Sequence, residues 1–241
     1  MYNNNYRKYG PSAYEEEFDV LQGLNSYVSK VYGWMFAGLL ITAIVAYLVS
    51  TSEIIVVSII SNPLLYFGLF IVELILVGAL SSRVEKLSYG TAIALFIGYA
   101  VVNGLTLSII FLAYTGETLV SAFLVTSLSF GAMSLYGYLT KTDLFKFRNI
   151  LFMGLIGIII TSVINVFLSN STLDWITSIV GLFVFLGLTA YDMQKLKAYY
   201  VNTGGDLELR QKVAITGALS LYLDFINLFL IILRFSSRRR N

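Results

Sequence analysis

Apolar residues in this chain come in long runs rather than in the short alternations of soluble helices or strands. A membrane span needs roughly 20 apolar residues to cross about 30 Å of hydrocarbon. Seven runs approach or reach that length: Val31–Val49, Leu64–Leu80, Ala92–Tyr114, Leu119–Leu139, Ile150–Leu168, Trp175–Tyr191 and Val213–Phe235. The run Ile54–Ile60 is too short to cross alone; with Pro63 close behind it, it reads as a cap or interfacial turn before the second span. Short loops join the spans. The pattern therefore predicts an all-α integral membrane protein: a single seven-transmembrane helix bundle over residues 30–235, with a polar N-terminal tail (1–29) and a basic C-terminal tail (236–241).

Composition agrees. Of 241 residues, 57% are hydrophobic and only 12% charged, and the mean hydropathy is +0.78, so most of the surface faces lipid. The chain has no cysteine and no histidine. Thiol catalysis, thiolate or imidazole metal sites and histidine-based triads are thereby excluded. Any metal site must be built from oxygen, which suits Ca²⁺, Mg²⁺ or Mn²⁺. The N-terminal residues, with Asn3–Asn5 and Glu15–Glu17, lack the basic-then-apolar layout of a signal peptide.

The net charge of +2 conceals an alternation along the chain. Basic residues stand in the N-terminal tail (Arg7, Lys8, Lys30), after span two (Arg83, Lys86), after span four (Lys141, Lys146, Arg148) and after span six (Lys195, Lys197, Arg210, Lys212). The loops after spans one, three and five carry none. The positive-inside rule then places the amino terminus and the even loops in the cytoplasm. Arg234 and Arg238–Arg240, beyond span seven, go against this, so the last segment either crosses fully and ends in a basic tail outside, or turns back.

Ionisable groups inside hydrocarbon are costly and mark sites. Asp224 lies about 16 Å along span seven from Val213, near mid-membrane. Thr216, Ser220, Asp224 and Asn227 share one face of that span, which suits the bundle interior, a water-filled path or a helix-packing stripe. Asp192 closes span six with Lys195 three positions on, the spacing of an ordinary interfacial ion pair. Spans six and seven run antiparallel, so the two aspartates meet only if span six reaches further than its apolar run or the loop through Gly204-Gly205 is partly helical. Two carboxylates within a few ångströms in low dielectric share a proton, and losing it sets like charges against each other, a bistable element of the kind a pH gate requires.

Glu73 lies near the middle of span two with no basic residue within a turn. It reads either as a hydrogen-bonded packing residue or as an oxygen on a cation route, as do Asn227 and Ser220. Arg83, at the basic end of the same span, either snorkels to the headgroups or reaches an acid on another helix and latches the bundle. Asn103 with Thr106, and Thr161 with Asn165, read as structural pairs, with Gly157–Thr161 a small-residue face for helix packing. Asn170-Ser171-Thr172 matches a glycosylation sequon, meaningful only in a eukaryotic secretory setting.

Three blocks resemble the Bax inhibitor-1 family, the transmembrane Bax inhibitor motif proteins: Ala132–Leu144, Gly187–Lys197 with its Tyr-Asp-x-Gln core, and Ala218–Arg234 with Leu-Tyr-Leu-Asp-Phe-Ile-Asn. The similarity covers about Leu24–Phe235. It implies six helices around a central seventh and a pH-sensitive calcium leak. It makes Asp192 and Asp224 the sensor and gate, as well as a weak Ca²⁺ site, and Arg83 the closing latch. A bacterial-type member implies the inner membrane, with the lipid bilayer and the calcium ion as partners and no tightly bound cofactor. Some bacterial relatives resemble regulators of a membrane-bound AAA protease, which is the alternative reading. A transporter lacks support from paired broken helices or inverted repeats. An enzyme lacks a Gly-x-Gly-Asp sequence or a phosphate-cradling loop, and no nucleic-acid partner is expected of such short basic loops.

Overall fold

The computed structural model describes residues 13–82, 84–203 and 206–238. Its helices are α1 (Ala13–Ser50), α2 (Glu53–Ser61), α3 (Pro63–Ser82), α4 (Tyr89–Leu107), α5 (Ile110–Ala113), α6 (Gly116–Leu139), α7 (Arg148–Leu168), α8 (Ser171–Asn202) and α9 (Leu207–Arg238), with a 3₁₀ turn, Leu144–Phe147, leading into α7. Among the described residues seven segments are long and apolar enough to span a membrane: Val20–Ser50, Pro63–Ser82, Tyr89–Ala113, Gly116–Leu139, Leu144–Leu168, Ser171–Asn202 and Leu207–Ser236.

Local chemistry sets the boundaries. Pro63 opens α3, where its missing N–H removes one of the orphan donors of a helix start. Ser88 accepts from the Thr91 N–H at the start of α4, Thr115 from Thr118 N–H at α6, and Asn170 from the N–H groups of Thr172 and Leu173 at α8. The sequon asparagine is thus a helix cap. Ser169, at φ 48°, ends α7 in the left-handed region.

Three helices outrun their apolar windows. The tail expected over residues 1–29 is helical from Ala13 in its described part. Leu24, Tyr27 and Val31 are all buried; at spacings of three and four they form a stripe that packs although Leu24 and Tyr27 lie before the apolar run that begins at Val31. α8 continues past Tyr191 because Met193 and Leu196 bury on one face, and α9 begins before Val213. Hydropathy locates lipid contact; it does not locate helix ends.

α9 is the axis. Nearly all of its circumference is enclosed, with Ile215, Ala218, Leu221, Tyr222 and Leu228 fully buried, and α1, α3, α4, α6 and α8 pack on it. α7 departs from the expected ring of six: it lies against α8 and buries no residue. This peripheral position also corrects the small-residue face at Gly157–Thr161. Nothing approaches Gly157, whereas Gly154, one turn earlier, is the position that meets Val184. The close helix approach lies elsewhere, at Gly137 of α6, where a Cβ would fall 2.2 Å from the Ala190 carbonyl oxygen of α8.

α9 crosses the whole bundle as a continuous helix. Near its end Arg234 donates to Asp174 in the first turn of α8, at 3.3 Å. The described basic C-terminal residues therefore emerge at the α7–α8 loop end, opposite Lys195 and Lys197, and the turned-back alternative does not hold.

Candidate functional site

The site is built on α8 and α9. Leu196 meets Gly217, whose added Cβ would stand 2.1 Å from Leu196 Cδ2, and Gly181 faces Ile231. Between these contacts the Ser220 hydroxyl is within hydrogen-bonding reach of the Asp192 carboxyl. The two helices run antiparallel, so Asp224 lies level with Leu188, one turn or about 6 Å deeper than Asp192. Both conditions for approach are met: α8 continues ten residues past Asp192, and α9 starts a turn and a half before Val213.

Asp224 is buried, and its Oδ2 has no hydrogen-bond partner among the described residues. Asp192 and Lys195 are its charged neighbours. The Asp192 side chain is largely enclosed, 14% exposed; its Oδ1 lies 3.9 Å from Lys195 Nζ, and that ammonium also stands 5.5 Å from the centre of the Tyr199 ring. A small cavity of about 20 Å³ adjoins Asp192, walled by Lys195, Leu196, Tyr199, Thr216, Gly217 and Ser220. It has room for about one water. The chemistry is compact: one fixed cation, two carboxylates and a hydroxyl. With both acids ionised the set carries one net negative charge. With one of the two acids protonated it is neutral, and the like-charge repulsion is removed. Deeper along α9, the apolar side chains of Phe225, Leu228 and Phe229 are buried.

Ser220 thus joins the aspartates, but the other expected contacts do not. Asn227 donates its side-chain N–H to the Leu223 carbonyl of its own helix at 2.8 Å. Glu73 belongs to a second buried cluster: Thr106 donates to its Oε1 at 2.7 Å, and Asn103 bonds to it as well. Tyr222 of α9 donates to Asn103 Oδ1 at 2.9 Å and shares a 2.6 Å bond with Thr42 of α1. The Asn103–Thr106 pair is therefore tertiary, tying α3, α4, α9 and α1 together. Arg83 lies outside the described residues.

Sequence reasoning missed three participants. Tyr222, two residues before Asp224, sits in the Leu-Tyr-Leu-Asp-Phe-Ile-Asn stretch, yet periodicity gives a tyrosine in a greasy helix no role. Gln194, of the Tyr-Asp-x-Gln core, clamps the loop after α6, donating to the Thr142 carbonyl and accepting from the Leu144 N–H, both at 2.8 Å. Lys197 donates to the Tyr138 carbonyl at 2.6 Å, capping the last turn of α6.

Comparison with known proteins agrees with this architecture. The chain is 48% identical over 223 residues to the inner membrane protein YbhL of Escherichia coli, covering 90% of this chain and 94% of that protein. A Borreliella burgdorferi protein is 44% identical over 217 residues (90% and 94%), and a Rickettsia prowazekii protein 42% identical over 222 residues (91% and 92%). The family described as "Inhibitor of apoptosis-promoting Bax1" matches residues 24–241. With seven membrane-length helices, a central α9 and this match over nearly its whole length, the chain is an integral membrane protein belonging to the Bax inhibitor family.

Proposed function

We propose that this protein is a pH-sensitive cation leak, with calcium as the permeant ion, gated by the Asp192–Asp224 pair. The observation that carries the reading is Asp224 Oδ2: a buried carboxylate oxygen without a hydrogen-bond partner among the described residues, one turn from a second carboxylate on the neighbouring helix. A buried acid left in this state is the arrangement a proton switch uses, since desolvation and like charge both respond to one proton. In the closed state the pair shares that proton and Lys195 balances the remaining charge. Losing it sets α8 against α9 across the Gly217–Leu196 contact and widens the small cavity beside Asp192. Two carboxylates and a hydroxyl fall short of the six to eight oxygens of a tight calcium site. Among the described residues no third acid joins them. Weak coordination is what passage requires, because an ion held in a full cage would not leave.

In this reading the Lys- and Arg-rich loops face the cytoplasm, and Arg83 retains the latch role that the family resemblance implies. The test is ⁴⁵Ca²⁺ uptake into proteoliposomes across a pH series. Flux should depend on pH in the wild type and lose that dependence in the Asp192→Asn, Asp224→Asn double variant. An unchanged pH profile in the double variant removes the gate.

A further inference from the structure

Away from the aspartates, α1 and α6 flank the same side of α9 and are hydrogen-bonded to each other near one end. Near the α8–α9 loop end the Tyr32 hydroxyl bonds to Ser134, and the Tyr138 hydroxyl donates to Asn25 Oδ1 at 2.6 Å. Towards the other end the two helices separate. There α4 stops at Leu107, and the chain resumes as the short α5, which turns Phe111 inward. The gap is a cavity of about 330 Å³ with Ala43 and Ala46 on one wall, Phe123 on the other, and Phe225 and Phe229 of α9 at its back.

The walls identify the occupant. Thr42 is the polar residue lining the cavity, and its hydroxyl is turned into bonds with Tyr222 and the Ala100 carbonyl. Water needs two or more polar partners in such a space and finds none. Acidic and basic side chains are absent from the lining, so headgroups and ions are not recognised. The mouth is continuous with the lipid-facing surface: Leu40 and Ile44 on α1 and Leu124 on α6 are exposed beside it. Ala43 lies about 10 Å along α1 from its end at Ser50, a depth of hydrocarbon rather than headgroup. Alanines at this point of α1 create room that larger residues would close.

We propose that this cleft holds one acyl chain of a bilayer phospholipid, which enters between α1 and α6 and packs directly on α9. The central helix is thereby reached from the lipid sideways, at the two residues that follow Asp224. Selection is for hydrocarbon alone, so the headgroup has no effect. The inference is independent of ion leakage.

The full-length protein is tested by fluorescence after replacing both native tryptophans, Trp34→Phe and Trp175→Phe, and adding Phe229→Trp. It is reconstituted into phosphatidylcholine–phosphatidylglycerol vesicles whose acyl chains carry bromine at mid-chain. Emission should fall as far as for the lipid-facing Ile159→Trp, equally whichever of the two lipids is brominated. Adding Ala43→Phe should restore it. Emission that stays bright in brominated phospholipid overturns the proposal, as does quenching by free brominated fatty acid alone or quenching that Ala43→Phe leaves unchanged. If Phe229→Trp does not fold, Leu119→Trp on the α6 wall gives the same readout with the same outcomes.

Discussion

If Asp192 and Asp224 respond to one another's charge, a double-mutant cycle should measure the interaction directly. The structure sets its size. The two residues are offset by one turn along packed helices, about 6 Å of helix rise, and at an effective dielectric of about 20 two unit charges separated by about that much interact by about 3 kcal/mol. This is well above the average of about 0.6 kcal/mol found for side-chain couplings between membrane helices. The cycle comprises wild type, Asp192→Asn, Asp224→Asn and the double variant, unfolded reversibly in mixed micelles over a pH series. Where both acids are ionised, each single substitution removes the repulsion, and the coupling energy should approach that 3 kcal/mol. Where they share a proton, the repulsion is replaced by a hydrogen bond, and the coupling should change sign or shrink to about 1 kcal/mol. Its variation with pH distinguishes a proton-sharing pair from two separate packing residues. Coupling below about 0.5 kcal/mol at every pH, the usual tolerance for independent sites, would refute the reasoning.

Other consequences are as concrete. Tyr222→Phe removes the hydroxyl joining Asn103 to Thr42 and leaves both without that buried partner; it should cost about 1–3 kcal/mol in thermal or detergent unfolding, and a neutral result would dissolve the four-helix polar cluster. Gly137→Ala puts a Cβ against the Ala190 backbone and should destabilise by about 1–3 kcal/mol. Gly157→Ala, with open space beside it, should be neutral or stabilising by up to about 1 kcal/mol, and comparable losses at the two sites would contradict the α6–α8 contact. Gln194→Ala frees the loop after α6, so trypsin should cut at Lys141 faster than in wild type while the melting temperature moves little; equal cutting rates would mean that the glutamine clamp is not what holds this loop.

The extent to which the candidate site could be read in advance follows from what each signal reports. Asp224 stood out because an acid in a greasy run is expensive wherever the helix points, and its four-residue spacing to Ser220 placed both on one face. Whether Asp192 joined them could not be read, because its apolar window stops at Tyr191 whereas the helix does not: Met193 and Leu196 continue the buried stripe among polar neighbours. Glu73 and Asn227 were equally conspicuous as polar residues in apolar runs, yet one is bonded to Thr106 and the other to its own helix carbonyl. Polarity in a span shows that a partner is needed without saying which.

Span number, alternation of basic loops, the absence of thiol and imidazole chemistry and the position of the isolated acids were settled by the sequence itself, since each depends on transfer into lipid, a property of residues taken one at a time. The order of packing was decided only in three dimensions. That α9 lies at the centre while the more hydrophobic α7 faces lipid reverses any ranking by hydropathy: lipid is as apolar as a side chain, so burial follows close fit, at Gly217 and Gly137, rather than greasiness. The one-turn offset of the aspartates, the Tyr222 bridge and the cleft between α1 and α6 arise from that fit as well, being relations between helices that no single run of residues contains.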